Sequence, residues 1–134
     1  MRRNKTALSY TGILILANVV FFIFALRFLE SVALQPSEVL VGKGLWTFIT
    51  SMFMHGGIGH LFVNMVSLMF IGGFVEKLVG YKRFLGLYFA SGIFSGIFFV
   101  LIAAILGADL NVFAVGASGA IFGIGGLLAV LTPR

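Results

Sequence analysis

Four long apolar runs, separated by polar or charged stretches, lay out this chain. The first is Leu8 to Leu26, broken only by Ser9, Thr11, Gly12 and Asn18. The second, Ile58 to Val75, carries His60, Asn64 and Ser67, then Gly72 and Gly73. The third, Phe84 to Leu106, has no charge, and the fourth is Ser118 to Leu131. As helix the third run reaches about 35 Å, ample for a hydrocarbon core of about 30 Å, whereas the fourth reaches only about 21 Å. The pattern predicts an all-α, polytopic membrane helix bundle forming one domain over residues 1–134, with spans near 8–26, 58–75, 84–106 and 118–131.

The segments between the runs differ in kind. Arg27 to Gly57 holds Glu30, Pro36, Glu38 and Lys43, then an amphipathic aromatic piece from Leu45 to Ile49. Trp46 suits a membrane edge, so this region predicts a membrane-associated loop of short helices in the outer leaflet; a mobile surface loop is the plainer reading. Glu76, Lys77, Gly80, Lys82 and Arg83 read as a short charged turn. Gly107 to Val115 reads as a connector with Asp109 and Asn111. Gly92-x-x-x-Gly96 is a close-packing pattern.

Composition narrows the class. Of 134 residues, 60% are hydrophobic and 10% charged, more apolar surface than a soluble domain of this length can hide. The net charge of +5 does not point to nucleic acid, because the basic residues sit between apolar runs and not on one polar face. With no cysteine, disulfides and thiolate chemistry are excluded and the compartment stays open. A basic start before an apolar run also suits a secretory signal, but the run is too long for a signal core and lacks a small-residue cleavage site. Arg2, Arg3, Lys5, Lys77, Lys82, Arg83 and Arg134 fall on one side, Arg27 and Lys43 on the other. The N-terminus is therefore expected to be cytoplasmic.

Depth then brings distant residues together. If Arg134 marks the inner face, Ser118 lies about 24 Å above it; His60 lies about 25 Å above Lys77, and Asn64 about 6 Å deeper on the same helix face. The connector must dip to reach Ser118, and irregular backbone at that depth must be buried in protein or line a wet cavity. The chemistry available is acyl transfer. A Ser118 hydroxyl would attack a carbonyl, while the Ser118 N–H, a His60 N–H and the Asn64 amide stabilise the developing oxyanion. Ala117 and Gly119 would leave room for a substrate backbone. Each feature has a plainer reading: Gly119-x-x-x-Gly123 as helix packing, and His60 with Asn64 as an interhelical tie. Ser118 is not in a Gly-x-Ser-x-Gly elbow, so a soluble hydrolase is not supported. A metal site from His55, His60 and Asp109 has no known ligand spacing.

From Leu45 to Leu131 the chain resembles the rhomboid family of intramembrane serine proteases. The resemblance rests on His60-x-x-x-Asn64, Gly72-x-x-x-Glu76-x-x-x-Gly80 and Gly116-x-Ser118-Gly119. It implies Ser118 as nucleophile, His60 and Asn64 as oxyanion donors, and structural parts for His55, Glu76, Gly116 and Gly119. The expected partners are transmembrane protein substrates and the lipid bilayer, with no cofactor or metal. Two departures stand out. Trp46 is followed by Thr47 where the family usually has arginine. The family's general base, a histidine on a sixth helix, matches neither His55 nor His60, so these 134 residues alone are expected to be inactive. A noncatalytic rhomboid-like protein that binds membrane helices is the alternative. A pore or transporter subunit would need more polar residues along one span.

Overall fold

The computed structural model describes residues 9–132. Leu8, at the head of the first run, and the basic Arg2, Arg3, Lys5 and Arg134 lie outside the described residues. Helix α1, Tyr10–Ala25, starts where Ser9 Oγ accepts the Gly12 N–H at 3.0 Å, a serine N-cap. A 3₁₀ turn, Leu26–Phe28, joins it to α2, Leu29–Val32. The helical path thus continues past the first apolar run, with Arg27 and Glu30 exposed at its far end. Asn18, buried midway, donates its amide Nδ2 to the Leu14 carbonyl at 2.8 Å, while its Oδ1 has no partner among the described residues.

The segment between the first two runs forms α3, Pro36–Val39, and α4, Thr47–Thr50. Proline at the first helical position gives up no needed donor. Trp46 Nε1 donates to the Ser31 carbonyl at 2.9 Å and Thr50 Oγ1 to the Val32 carbonyl at 2.8 Å. Leu34 and Ala114 exchange two backbone bonds of 3.0 and 2.8 Å, tying this segment to the connector before the fourth run. Thr47, where the resemblance expects arginine, bonds only locally, to the Gly44 carbonyl.

The second path joins α5, Ile58–Ser67, a π-helical segment, Leu68–Gly72, and α6, Gly73–Val79. Gly80, at φ +86°, is the whole connection to α7, Tyr81–Leu106. The charged turn expected from Glu76 to Arg83 is therefore one residue long. Glu76 and Lys77 belong to α6, and Lys82 and Arg83 to α7, because helix ends can carry charges into water without breaking. Gly107, left-handed at φ +65°, ends α7 as a C-terminal glycine should. Helix α8 is Ser118–Leu131.

Three paths are long and apolar enough to cross a membrane: Tyr10–Val32, Ile58–Val79 and Tyr81–Leu106; α8, at 14 residues, is shorter. Helix α8 is the centre of the core. Ala120, Ile121 and Ile124 are buried against Leu14, Met52, Leu68, Val75, Phe84 and Tyr88. Its closest approach is to α7, where a methyl group on Gly119 or Gly123 would overlap Ser95 or Ser91. Small residues replace the hydrophobic drive that lipid cannot give. Facing outward, Phe24, Phe62, Phe94, Phe98, Ile105 and Phe122 are exposed. Such a continuous apolar exterior belongs in a bilayer, so this is an integral, multi-pass membrane protein.

Glu76 fastens the end of the bundle opposite Ser118. Its carboxylate accepts the Tyr10 N–H at 2.8 Å, the Thr11 N–H at 2.9 Å and the Thr11 hydroxyl at 2.6 Å. An anion at a helix N-terminus meets unpaired donors and a favourable dipole. The carboxylate is thus committed to α1, the structural part that the resemblance implies for it.

Candidate active site

Ser118 owes its position to the three residues before it. Gly116 has φ +120°, a conformation that a side chain strains. Its N–H donates to the Ser51 carbonyl at 2.9 Å, and the Ala117 N–H donates to His55 Nε2 at 3.4 Å. Ala117 is fully buried and caps α8 with no side-chain bond. The first N–H groups of α8 therefore have no acceptor within the helix. Among the described residues the half-buried Ser118 hydroxyl has no hydrogen-bond partner.

His60 sits in the first turn of α5, exposed, with its ring held from behind. The Gly56 N–H donates to His60 Nδ1 at 3.2 Å. An imidazole nitrogen that accepts a hydrogen bond is unprotonated, so in the neutral ring the proton is on Nε2. That N–H faces the turn before Ser118. A Cβ placed on Gly116 would lie 3.0 Å from His60 Nε2 and 3.7 Å from Ser118 Oγ. The two groups thus flank one point, and the sum of those distances bounds their separation. Gly116 is glycine for two reasons, its backbone angle and the ring against it.

Asn64, one turn on and buried, donates through Nδ2 to the His60 carbonyl at 2.8 Å. This leaves its second amide hydrogen for another acceptor. His60, Asn64 and Ser118 line one cavity of about 540 Å³, with Ser67, Phe122, Gly125 and Gly126 among its other walls. A smaller cavity of about 190 Å³ lies on the other side of Ser118, walled by Met52, Gly92, Ser95 and Gly96. Of the two residues expected to leave room beside the serine, Gly119 walls the smaller cavity and Ala117 lines neither. Ala117 is buried, and Gly119 both opens onto that cavity and lets Ser95 of α7 pack close.

His55 is fully buried, its ring 5.1 Å from that of His60 and edge-on to it. Burial, then the charge that His60 can carry, hold its pKa down at about 4 against an ordinary 6.5. A histidine kept neutral by the fold takes its proton first in the unfolded chain. Its stabilising effect is complete above pH 6.5, falls as pH drops toward 4 and levels off below that. The loss over this window is expected to reach about 3 kcal/mol. Unfolding in micelles at stepped pH measures it: His55→Gln should flatten the acid slope, and an unchanged slope would remove His55 as its source.

Asp109, the third member of the metal reading, accepts the Asn111 N–H at 2.9 Å in the connector. Among the described residues no three His, Cys, Asp or Glu side chains converge. Two contributors escaped sequence reasoning, the Ser51 carbonyl and the Gly56 N–H. Both act through the backbone, which any residue type could supply, so no side-chain signal existed to find them.

Residues 42–134 match the family model described as the Rhomboid domain. Among curated proteins, the chain is 36% identical over 91 residues to "Inactive RHOMBOID-like protein 8" of Arabidopsis thaliana, covering 67% of this chain and 24% of that one. It is 40% identical over 93 residues to "Rhomboid protease GluP" of Bacillus subtilis, covering 68% and 17%. It is 37% identical over 82 residues to "Putative rhomboid protease YdcA" of the same organism, covering 61% and 39%. The chain spans about a quarter of the length of the first relatives it matches.

Proposed function

Because the chain belongs to the rhomboid family of serine proteases, which includes inactive members, we propose that it is the part of an intramembrane endopeptidase that carries the nucleophile and the oxyanion donors. The observation that carries this reading is the meeting of the His60 Nε2 edge and Ser118 Oγ around Gly116, with the ring fixed by Gly56. Ser118 Oγ attacks the scissile carbonyl carbon of a transmembrane protein, and the hydroxyl proton passes to a base. The carbonyl oxygen becomes an oxyanion held by the Ser118 N–H, His60 Nε2–H and the free Asn64 hydrogen. Collapse releases the amine fragment, which takes that proton, and leaves an acyl-serine that water hydrolyses. The scheme uses no cofactor. The N-terminus is cytoplasmic in this reading, and cleavage falls in the outer half of the bilayer.

Among the described residues neither histidine is free to act as the base. His60 Nε2 carries a proton and its Nδ1 accepts from Gly56. His55 Nε2 is buried and engaged by Ala117. A serine hydroxyl without a base is a poor nucleophile. Residues 1–134 alone are therefore expected to label weakly with a fluorophosphonate probe in detergent, and a longer form that supplies a histidine base should label strongly at Ser118. Strong Ser118-dependent labelling of 1–134 would mean that His60 serves as the base after all.

The second reading is a noncatalytic protein that holds membrane helices in the groove beside Ser118, favoured by the likeness to an inactive relative. It expects no labelling in any form, with substrate helices still bound.

A further inference from the structure

We propose that the groove between α1 and α6, at the end of the bundle far from Ser118, seats one anionic phospholipid. The groove encloses about 700 Å³. Ile15, Met69 and Gly73 make its apolar floor, and Ser9, Lys77 and Tyr81 its rim. Tyr81 is braced by stacking on Tyr10, with ring centres 4.9 Å apart. Lys82 Nζ lies 5.9 Å over the same Tyr81 ring, so a second cation stands next to a rim residue, outside the lining itself.

The sign of the ligand follows from where the one nearby acid is spent. Glu76 lines the groove, but both its oxygens are taken by Tyr10 and Thr11. Among the described residues it makes no ion pair with Lys77 or Lys82, two exposed cations that outnumber its single charge. The floor decides between a soluble anion and a lipid. It is apolar, it lies between two paths long enough to span a bilayer, and Met69 on it is exposed. A molecule with a phosphate at one end and an acyl chain at the other satisfies rim and floor together, with the phosphate on Lys77 and the Ser9 hydroxyl and the chain along Gly73.

Gly73 also supplies the test, since a Cβ added there meets nothing within 4 Å. Gly73→Leu should fill the groove without disturbing the fold. The protein in neutral detergent would be titrated with phosphatidylglycerol, phosphatidylcholine or glycerol phosphate, with occupancy read by native mass spectrometry. The wild type should prefer phosphatidylglycerol to phosphatidylcholine and ignore glycerol phosphate. Lys77→Gln should weaken phosphatidylglycerol by about fivefold. Gly73→Leu should weaken both lipids by a larger factor, and Arg83→Gln, outside the groove, should change little. Equal binding of the two lipids, an Arg83→Gln loss equal to that of Lys77→Gln, or unchanged binding in Gly73→Leu would each overturn the proposal. Tight binding of glycerol phosphate would replace the lipid with a soluble anion.

Discussion

Cleavage of a membrane-spanning substrate is expected to disappear when Ser118 becomes alanine, measured in a form of the protein that supplies the base. The loss should be on the order of a thousandfold or more, leaving only what binding and oxyanion stabilisation provide. Folding should be untouched. The Ser118 hydroxyl has no partner among the described residues, and alanine keeps the backbone N–H that begins α8. The neighbours should grade below it. His60→Ala and Asn64→Ala each remove one donor among several, for losses of about tenfold to a thousandfold. His60→Ala should act mainly on kcat, because its N–H meets the oxygen only as charge develops there. Wild-type cleavage by Ser118→Ala would end the nucleophile assignment.

A single methyl group on Gly116 is expected to be nearly as damaging. It would sit 2.9 Å from His60 Cε1 and 3.0 Å from Nε2, closer than carbon and ring atoms pack. Alanine is also strained at φ +120°, at a cost on the order of 1–3 kcal/mol. The ring must swing away, which breaks the Gly56 bond that orients it, or the turn must move and carry Ser118 with it. Displacement by about 1 Å at a reacting centre costs on the order of a hundredfold in rate, and that loss is expected in kcat. Gly86→Ala on α7, where an added Cβ meets nothing within 4 Å, is the control for helix substitution. Helicity would be followed by circular dichroism beside the rate. Near-normal turnover by Gly116→Ala would mean that His60 leaves this seat before the chemical step.

Counting helical rise along the sequence placed His60 and Ser118 at one level, because rise per residue is almost independent of side chain. The same independence explains what counting missed. Nothing in Glu76 to Arg83 says whether charges bend a chain or merely finish two helices; the answer lay in one glycine at φ +86°. Glu76 read as a structural tie at its helix end, but its partners stayed hidden, because two of the three are backbone amides of α1, distant in sequence. The orientation of the His60 ring was equally hidden. It decides between proton donor and proton acceptor, and it rests on the backbone of Gly56. Gly119 and Gly123 were ambiguous for another reason. A glycine pair suits both a packed helix and an open site, and Gly119 is used for both, packing on Ser95 while it walls the cavity beside Ser118.

The π-helical segment, Leu68–Gly72, sits between the half of its helix that bears His60 and Asn64 and the half that bears Glu76. A π turn takes up one residue without a matching rotation, so α6 is turned by about 100° from where an unbroken α-helix would carry it. The segment works as a phase shifter. It lets one face of α5 address Ser118 while α6 aims Glu76 at the start of α1, two targets set independently by the packing at opposite ends. The interval between the His60 motif and Glu76 is therefore not a fixed period of this helix. A relative that lacks the π turn would need one residue fewer there to aim the same side chains the same way, and aligning the two would open a single-residue gap inside what looks like an uninterrupted span.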